Sequence, residues 1–172
     1  YPDTKIAIGP AIDNGFYYDF EFTKDTKFTD PDFPAVEKEM RRIIAGNFDF
    51  VRNEVSKDEA LKIFADQPYK VELINDLPDG ETITTYQQDT YIDLCRGPHV
   101  ANTKEINGQA FKLDKIAGAY WRGDSNRTML TRVYALCFSK PNDLKDYLTM
   151  LAEAEKRDHR KLGVEMDLFH LD

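Results

Sequence analysis

The sequence has few of the residues that staple small proteins or hold metals. Among its 172 residues are two cysteines, Cys95 and Cys137, and three histidines, His99, His159 and His170. Two cysteines exclude a disulfide framework, so a reducing, cytoplasmic setting is expected. No apolar run approaches the ~18 residues a membrane-spanning helix needs, and no membrane partner is expected. The opening YPDTKIAIGP also lacks the basic start and apolar stretch of a signal peptide. Basic charge is short as well, with 23 Lys and Arg against 31 Asp and Glu, a net charge of −8. That balance argues against independent, tight binding to nucleic acid, because phosphate contacts need a basic face. It leaves room for a domain that handles one end of a nucleic acid while other domains hold the rest. The length suffices for one core, and the expectation is one domain with an appendage. A start at Tyr1 and a stop just after a long helical pattern read as cuts, so the chain is expected to be a piece of a larger protein.

Hydrophobic periodicity and turn chemistry outline the elements. Asp13-Asn14-Gly15 supplies a hairpin-like reversal into an aromatic strand, Phe16 to Phe22. DPDFPAVEKEMRRIIAG reads as a helix: Val36, Met40, Ile43 and Ile44 share a face, Pro34 suits the first turn and Gly46 the stop. Ser56 and Glu59 have capping-box spacing before Leu61, Ile63 and Phe64. YKVELI and ETITTYQQ read as two strands joined by a turn from Asp76 to Gly80. QAFKLDKIAGAYW and TRVYALCF alternate like strands around the polar loop RGDSNR. From Pro141 the pattern turns helical, with Asp143 as a cap and a stripe of Leu144, Leu148, Leu151 and Ala152. Hairpin strands with helices at the periphery predict an α+β domain with a mostly antiparallel sheet over 1–140 and a C-terminal helical segment over 141–172.

Three stretches carry chemistry. In DLCRGPH, Gly97 and Pro98 exclude a helix interior, so Cys95 and His99 flank a strand end and its turn. They are two metal ligands, a nucleophile with its base, or members of a structural turn, and spacing leaves these open. As a complete zinc site the pair fails, because three or four ligands are needed and no second Cys/His pair exists. Asp93 falls on the face of Cys95 if the strand continues, where a carboxylate can orient an imidazole; a solvated strand end is the plain alternative. GAYWRGDSN gathers the only Trp with Tyr120, Arg122 and Asp124. Such a cluster either stacks on a base or ribose and contacts phosphate, or is a loop braced by an Arg122–Asp124 pair with Trp121 in the core. The aromatics of DNGFYYD are a pocket wall or plain core. Lys70, read as a lone cation in a strand, is either solvent-facing or a pocket base or anchor. Lys156, Arg157, Arg160 and Lys161 form the one basic patch, a solvated helix face or an RNA contact. His159, on that helix, is expected to lie far from Cys95.

Taken in order, AIGPAIDNGFYYDF, YKVEL, YIDLCRGPHV, AGAYWRGDSN and EKRDHRKLG closely resemble the bacterial-type threonyl-tRNA synthetases. The likeness falls on their editing domain and the linker helix toward the aminoacylation core. Alanyl-type editing proteins share the domain type and a C-x-x-x-H, without this whole set. The resemblance implies hydrolytic proofreading of serine mischarged onto tRNA(Thr). One missing methyl yields only about 1–3 kcal/mol of discrimination, so a second, hydrolytic site is needed.

By resemblance, Cys95 and His99 are the second half of a four-residue pocket signature, Asp93 its neighbouring acid and Lys70 the lysine that positions or activates water. Lys70, Asp93 and His99 are thus the candidate catalytic residues. Cys95 is a candidate substrate contact, with Tyr120 and Arg122 assigned to the terminal adenosine. The family's first half-site, an H-x-x-x-H on a preceding helix, is absent from these 172 residues. The expectation is a fragment that edits weakly or not at all, with no cofactor of its own. Cys95 and His99 are at most half of a zinc site, while ATP and a structural zinc belong to the aminoacylation core. The implied partners are the 3′ acceptor end of tRNA(Thr) and the rest of a synthetase that works as a homodimer. Two rival readings remain: an alanyl-type trans-editing deacylase, and a non-catalytic tRNA-binding or packing domain.

Overall fold

The structure is a computed structural model that describes residues 1–78 and 80–157. His159, Arg160, Lys161 and His170, with the expectations placed on them, lie outside the described residues. The elements run β1 (Lys5–Ile6), β2 (Ala11–Ile12), β3 (Gly15–Glu21), α1 (Phe33–Ala45), β4 (Phe50–Val55), α2 (Lys57–Ile63), α3 (Pro68–Asn75), β5 (Ile83–Gln88), β6 (Tyr91–Leu94), β7 (Phe111–Tyr120), β8 (Met129–Cys137) and α4 (Pro141–Lys156). All strand pairings are antiparallel and form two sheets. One is ordered β1-β3-β8-β7, with β2 also paired to β3; the other is β4-β5-β6. The fold is α+β, as the sequence predicts.

Local chemistry explains several boundaries. Asn14, at φ 63°, makes the reversal between β2 and β3, a backbone region that Asn tolerates better than most residues. Ser56 accepts a hydrogen bond from the Glu59 N–H while the Glu59 carboxylate accepts from the Ser56 N–H, so the capping box opens α2. Gly46 ends α1, and the helix lays Val36 and Met40 against Leu113, Val133 and Phe16 on the larger sheet. α4 starts at Pro141 behind Lys140, without a side-chain cap; Asp143 lies inside the first turn instead of capping it. Cys137 is the last residue of β8 and is exposed.

The main correction concerns YKVELI, which is α3 and not a strand. Pro68 at the first helical position was the local signal for a helix. The apolar pattern hid it because α3 is covered on much of its circumference. Ile74 packs with Ala60, Phe64 and Ile83 beside the smaller sheet, whereas Tyr69 packs with Ala7, Trp121 and Leu130 beside the larger one. A helix buried toward two neighbours loses the single stripe that marks an amphipathic helix. This seam between the sheets is where Lys70 sits.

Candidate active site

Lys70, in the first turn of α3, is 2% exposed. Burying an ammonium requires a partner, and Asp93 on β6 provides one, with Nζ 2.5 Å from Oδ1. Tyr18 on β3 completes the group: its hydroxyl accepts from Lys70 Nζ at 3.0 Å and donates to Asp93 Oδ2 at 2.8 Å. Asp93 Oδ1 also accepts the Leu94 N–H at 2.7 Å. The Tyr18 phenol is raised above its ordinary range, first by burial and then by the charges of Tyr91 and Asp93. It therefore stays a neutral bridge between cation and carboxylate. Lys70 Nζ lies 5.5 Å from the centre of the Tyr18 ring, which adds a cation–π contact.

Cys95 follows β6 directly. Its backbone is tied to β5 in both directions: Cys95 N–H donates to the Thr84 carbonyl, and the Thr84 hydroxyl donates to the Cys95 carbonyl at 2.5 Å. The turn then brings Gly97 N–H to 3.3 Å from Cys95 Sγ. Gly97 has φ +76°, and a Cβ there would lie 2.2 Å from the Tyr86 hydroxyl oxygen, so only glycine fits. Past this turn the exposed His99 ring lies parallel to Phe50, with centroids 5.4 Å apart, and meets Tyr86 edge-on at 4.3 Å. Two aromatic walls thus fix the plane of the imidazole.

Lys70, Asp93, Tyr18, Cys95 and His99 all line one cleft of about 510 Å³. The arrangement places a buried cation, held by a carboxylate and a phenol, in the same recess as a thiol and an imidazole. A preorganised cation in a recess of lowered dielectric stabilises developing negative charge, and an imidazole moves protons near neutral pH. The pocket can therefore support hydrolysis of an ester. Among the described residues no cluster of three or more His, Cys, Asp or Glu side chains could hold a metal ion. Cys95 and His99 supply two donors where zinc needs three or four, so they do not fit a metal by themselves.

Two sequence candidates are not brought into this cleft. Tyr120 ends β7 and is 40% exposed, outside the lining. Arg122 pairs with Glu72 of α3 and with Asp76 just past its end, not with the expected Asp124, and Trp121 is buried in the seam, so the GAYWRGDSN loop is braced against α3. Sequence reasoning took Tyr18 only as one of the DNGFYYD aromatics, pocket wall or plain core, and missed its place between Lys70 and Asp93. Its partners lie 52 and 75 positions away, and no local pattern marks it.

Residues 83–134, from β5 through most of β8, match the family described as "Threonyl and Alanyl tRNA synthetase second additional domain". Over its length the chain is similar to threonine–tRNA ligases. It is 55% identical to that of Rhizobium rhizogenes (strain K84) over 99% of this chain and 26% of the relative. Identity to the threonine–tRNA ligase of Prochlorococcus marinus (strain MIT 9211) is 53%, with the same coverage. The chain thus spans 26% of the length of these curated relatives.

Proposed function

We propose that this chain is the proofreading part of a threonine–tRNA ligase. In this reading the cleft hydrolyses the ester joining serine to the terminal adenosine of mischarged tRNA(Thr). The observation that carries it is the Lys70–Asp93–Tyr18 chain, which opens on the same recess as Cys95 and His99. Lys70 presents positive charge to the ester carbonyl as it becomes an oxyanion. Asp93 and Tyr18 hold that charge in place, and His99 handles a proton of the attacking water. Cys95 forms the pocket wall that a serine side chain clears and the extra methyl of threonine does not. Arg122, occupied by Glu72 and Asp76, has no substrate role here.

The partner is the 3′ acceptor end of tRNA(Thr), consistent with an acidic domain that leaves the body of the tRNA to the rest of a cytoplasmic, homodimeric ligase. Residues 1–140 form the editing unit and 141–172 the link toward the aminoacylation core, where ATP is used.

The test compares deacylation of Ser-tRNA(Thr) and Thr-tRNA(Thr) by these 172 residues and by the same chain extended upstream. Serine-selective hydrolysis by the extended chain, and weak or no hydrolysis by the 172 residues, is the expected result. Hydrolysis of both esters at equal rates would make the domain an unselective deacylase and overturn the proofreading reading, and hydrolysis of neither by a folded extended chain would leave it as a tRNA-binding or packing unit.

A further inference from the structure

α3 has eight residues and no side-chain cap at Gln67. A helix this short does not hold its place unaided. Lys70 and Glu72 are two residues apart, about 200° around the axis at 3.6 residues per turn. Lys70 therefore enters the cleft, whereas Glu72 turns toward the connection between β7 and β8.

That connection is built to receive it. Glu72 Oε2 accepts the Trp121 indole N–H at 3.1 Å, and Arg122 Nε lies 3.0 Å from Oε1. Arg127 grips both oxygens, with Nη1 2.8 Å from Oε1 and Nη2 2.5 Å from Oε2. Just past the end of α3, Asp76 Oδ2 pairs with Arg122 Nη2 at 2.5 Å. Trp121, 3% exposed, meets Tyr69 edge-on at 5.0 Å. Arg122 adopts φ 55° and ψ 21°, a left-handed conformation that an arginine takes only when its surroundings impose it. A single exposed ion pair would hold little, but a bidentate arginine, a second arginine and an indole on one carboxylate fix both position and rotation.

We infer that Glu72 is a positioning residue of the editing reaction, holding α3 against the Trp121–Arg127 loop so that Lys70 Nζ meets Asp93 and Tyr18 in the cleft. The inference rests on the editing reading of that cleft. It also gives AYWRGDSN a role without a nucleotide: the motif is the socket for the helix that carries the lysine.

The test uses the complete ligase carrying Glu72→Ala or Glu72→Gln, with Thr103→Ala as a comparison. Thr103 is buried at the junction of α1 and β4, away from the cleft lining, and its loss lowers Tm without touching α3. Two measurements are made: acylation of Lys70 by acetic anhydride, followed by peptide mass spectrometry, and the kinetics of serine-ester hydrolysis, giving kcat and KM. For Glu72→Ala, Lys70 labelling is expected to rise about tenfold as α3 loosens. Because the reacting groups are misplaced while the binding surface stays, kcat is expected to fall about a hundredfold with KM nearly constant. Glu72→Gln keeps an acceptor for Trp121 and recovers part of both. Thr103→Ala leaves labelling unchanged. Unchanged labelling and kcat in Glu72→Ala would overturn the inference, as would equal effects from Thr103→Ala at the same Tm. Failure of the unaltered ligase to hydrolyse the serine ester would overturn the editing reading instead. The labelling result would then still report whether Glu72 holds Lys70, so the two failures stay distinct.

Discussion

Removing the charge of Asp93 while keeping its shape, in Asp93→Asn, leaves a buried ammonium with neutral acceptors but no counter-charge beside it. The Lys70 side chain is 3% exposed and that of Asp93 19%. Breaking a buried pair by deleting one charge costs about 3–5 kcal/mol, because the other charge stays desolvated. Asp93 retains some access to water, so the low end, about 3 kcal/mol, applies here. For a domain of this size that loss corresponds to a fall in Tm of roughly 6–12 °C. The double variant Lys70→Met with Asp93→Asn removes the stranded charge and should recover most of the loss, to within about 1 kcal/mol of the parent. Urea unfolding at neutral pH measures all three proteins, and constant m-values license the comparison. A cost below about 1 kcal/mol for Asp93→Asn would class the pair with ordinary surface ion pairs and refute the reasoning. So would a double variant no more stable than the single one.

Further outcomes follow from single positions. Gly97→Ala forces a side chain into a left-handed residue with Cβ 2.2 Å from the Tyr86 hydroxyl oxygen. It should cost about 1–3 kcal/mol and displace the His99 ring, read by denaturation and by the imidazole NMR signals; an unchanged spectrum would contradict the described turn. Thr85 is fully buried, and its hydroxyl has no hydrogen-bond partner among the described residues. Thr85→Val should therefore stabilise the domain by about 1 kcal/mol, where a loss on urea unfolding would mean the hydroxyl is satisfied. Glu72 is held below the ordinary carboxylate range, chiefly by its hydrogen bonds from Arg127. A lowered folded-state pKa gives stability that is present above the unfolded value and lost as pH falls through the folded one. The stability gap between the parent and Glu72→Ala should hold near neutral pH and shrink below about pH 4; a gap that grows there would reverse the sign.

The elements that depend on neighbours in sequence were legible before the structure. The stripe of Val36, Met40 and Ile43, the Ser56–Glu59 box and the Asn14 reversal each follow from contacts within a few residues. The Cys95 turn was legible for the same reason, since Gly97 and Pro98 restrict the backbone locally. Lys70 was read onto the wrong element because the burial of α3 is set by two sheets, and its sequence carries no single apolar face. Tyr18 and Glu72 were invisible as functional residues. Their partners lie 49 to 75 positions away and meet them only through sheet pairing and the packing of α3. Arg122 was assigned to the terminal adenosine by resemblance, while its motif's composition fits a brace equally well, and in the fold it pairs with Glu72 and Asp76.

The most direct check on the central claim is serine misincorporation by the complete ligase carrying Lys70→Met. The account predicts that Ser-tRNA(Thr) accumulates while charging with threonine proceeds at the unaltered rate. Clearance of the serine ester by Lys70→Met as fast as by the unaltered enzyme would contradict it.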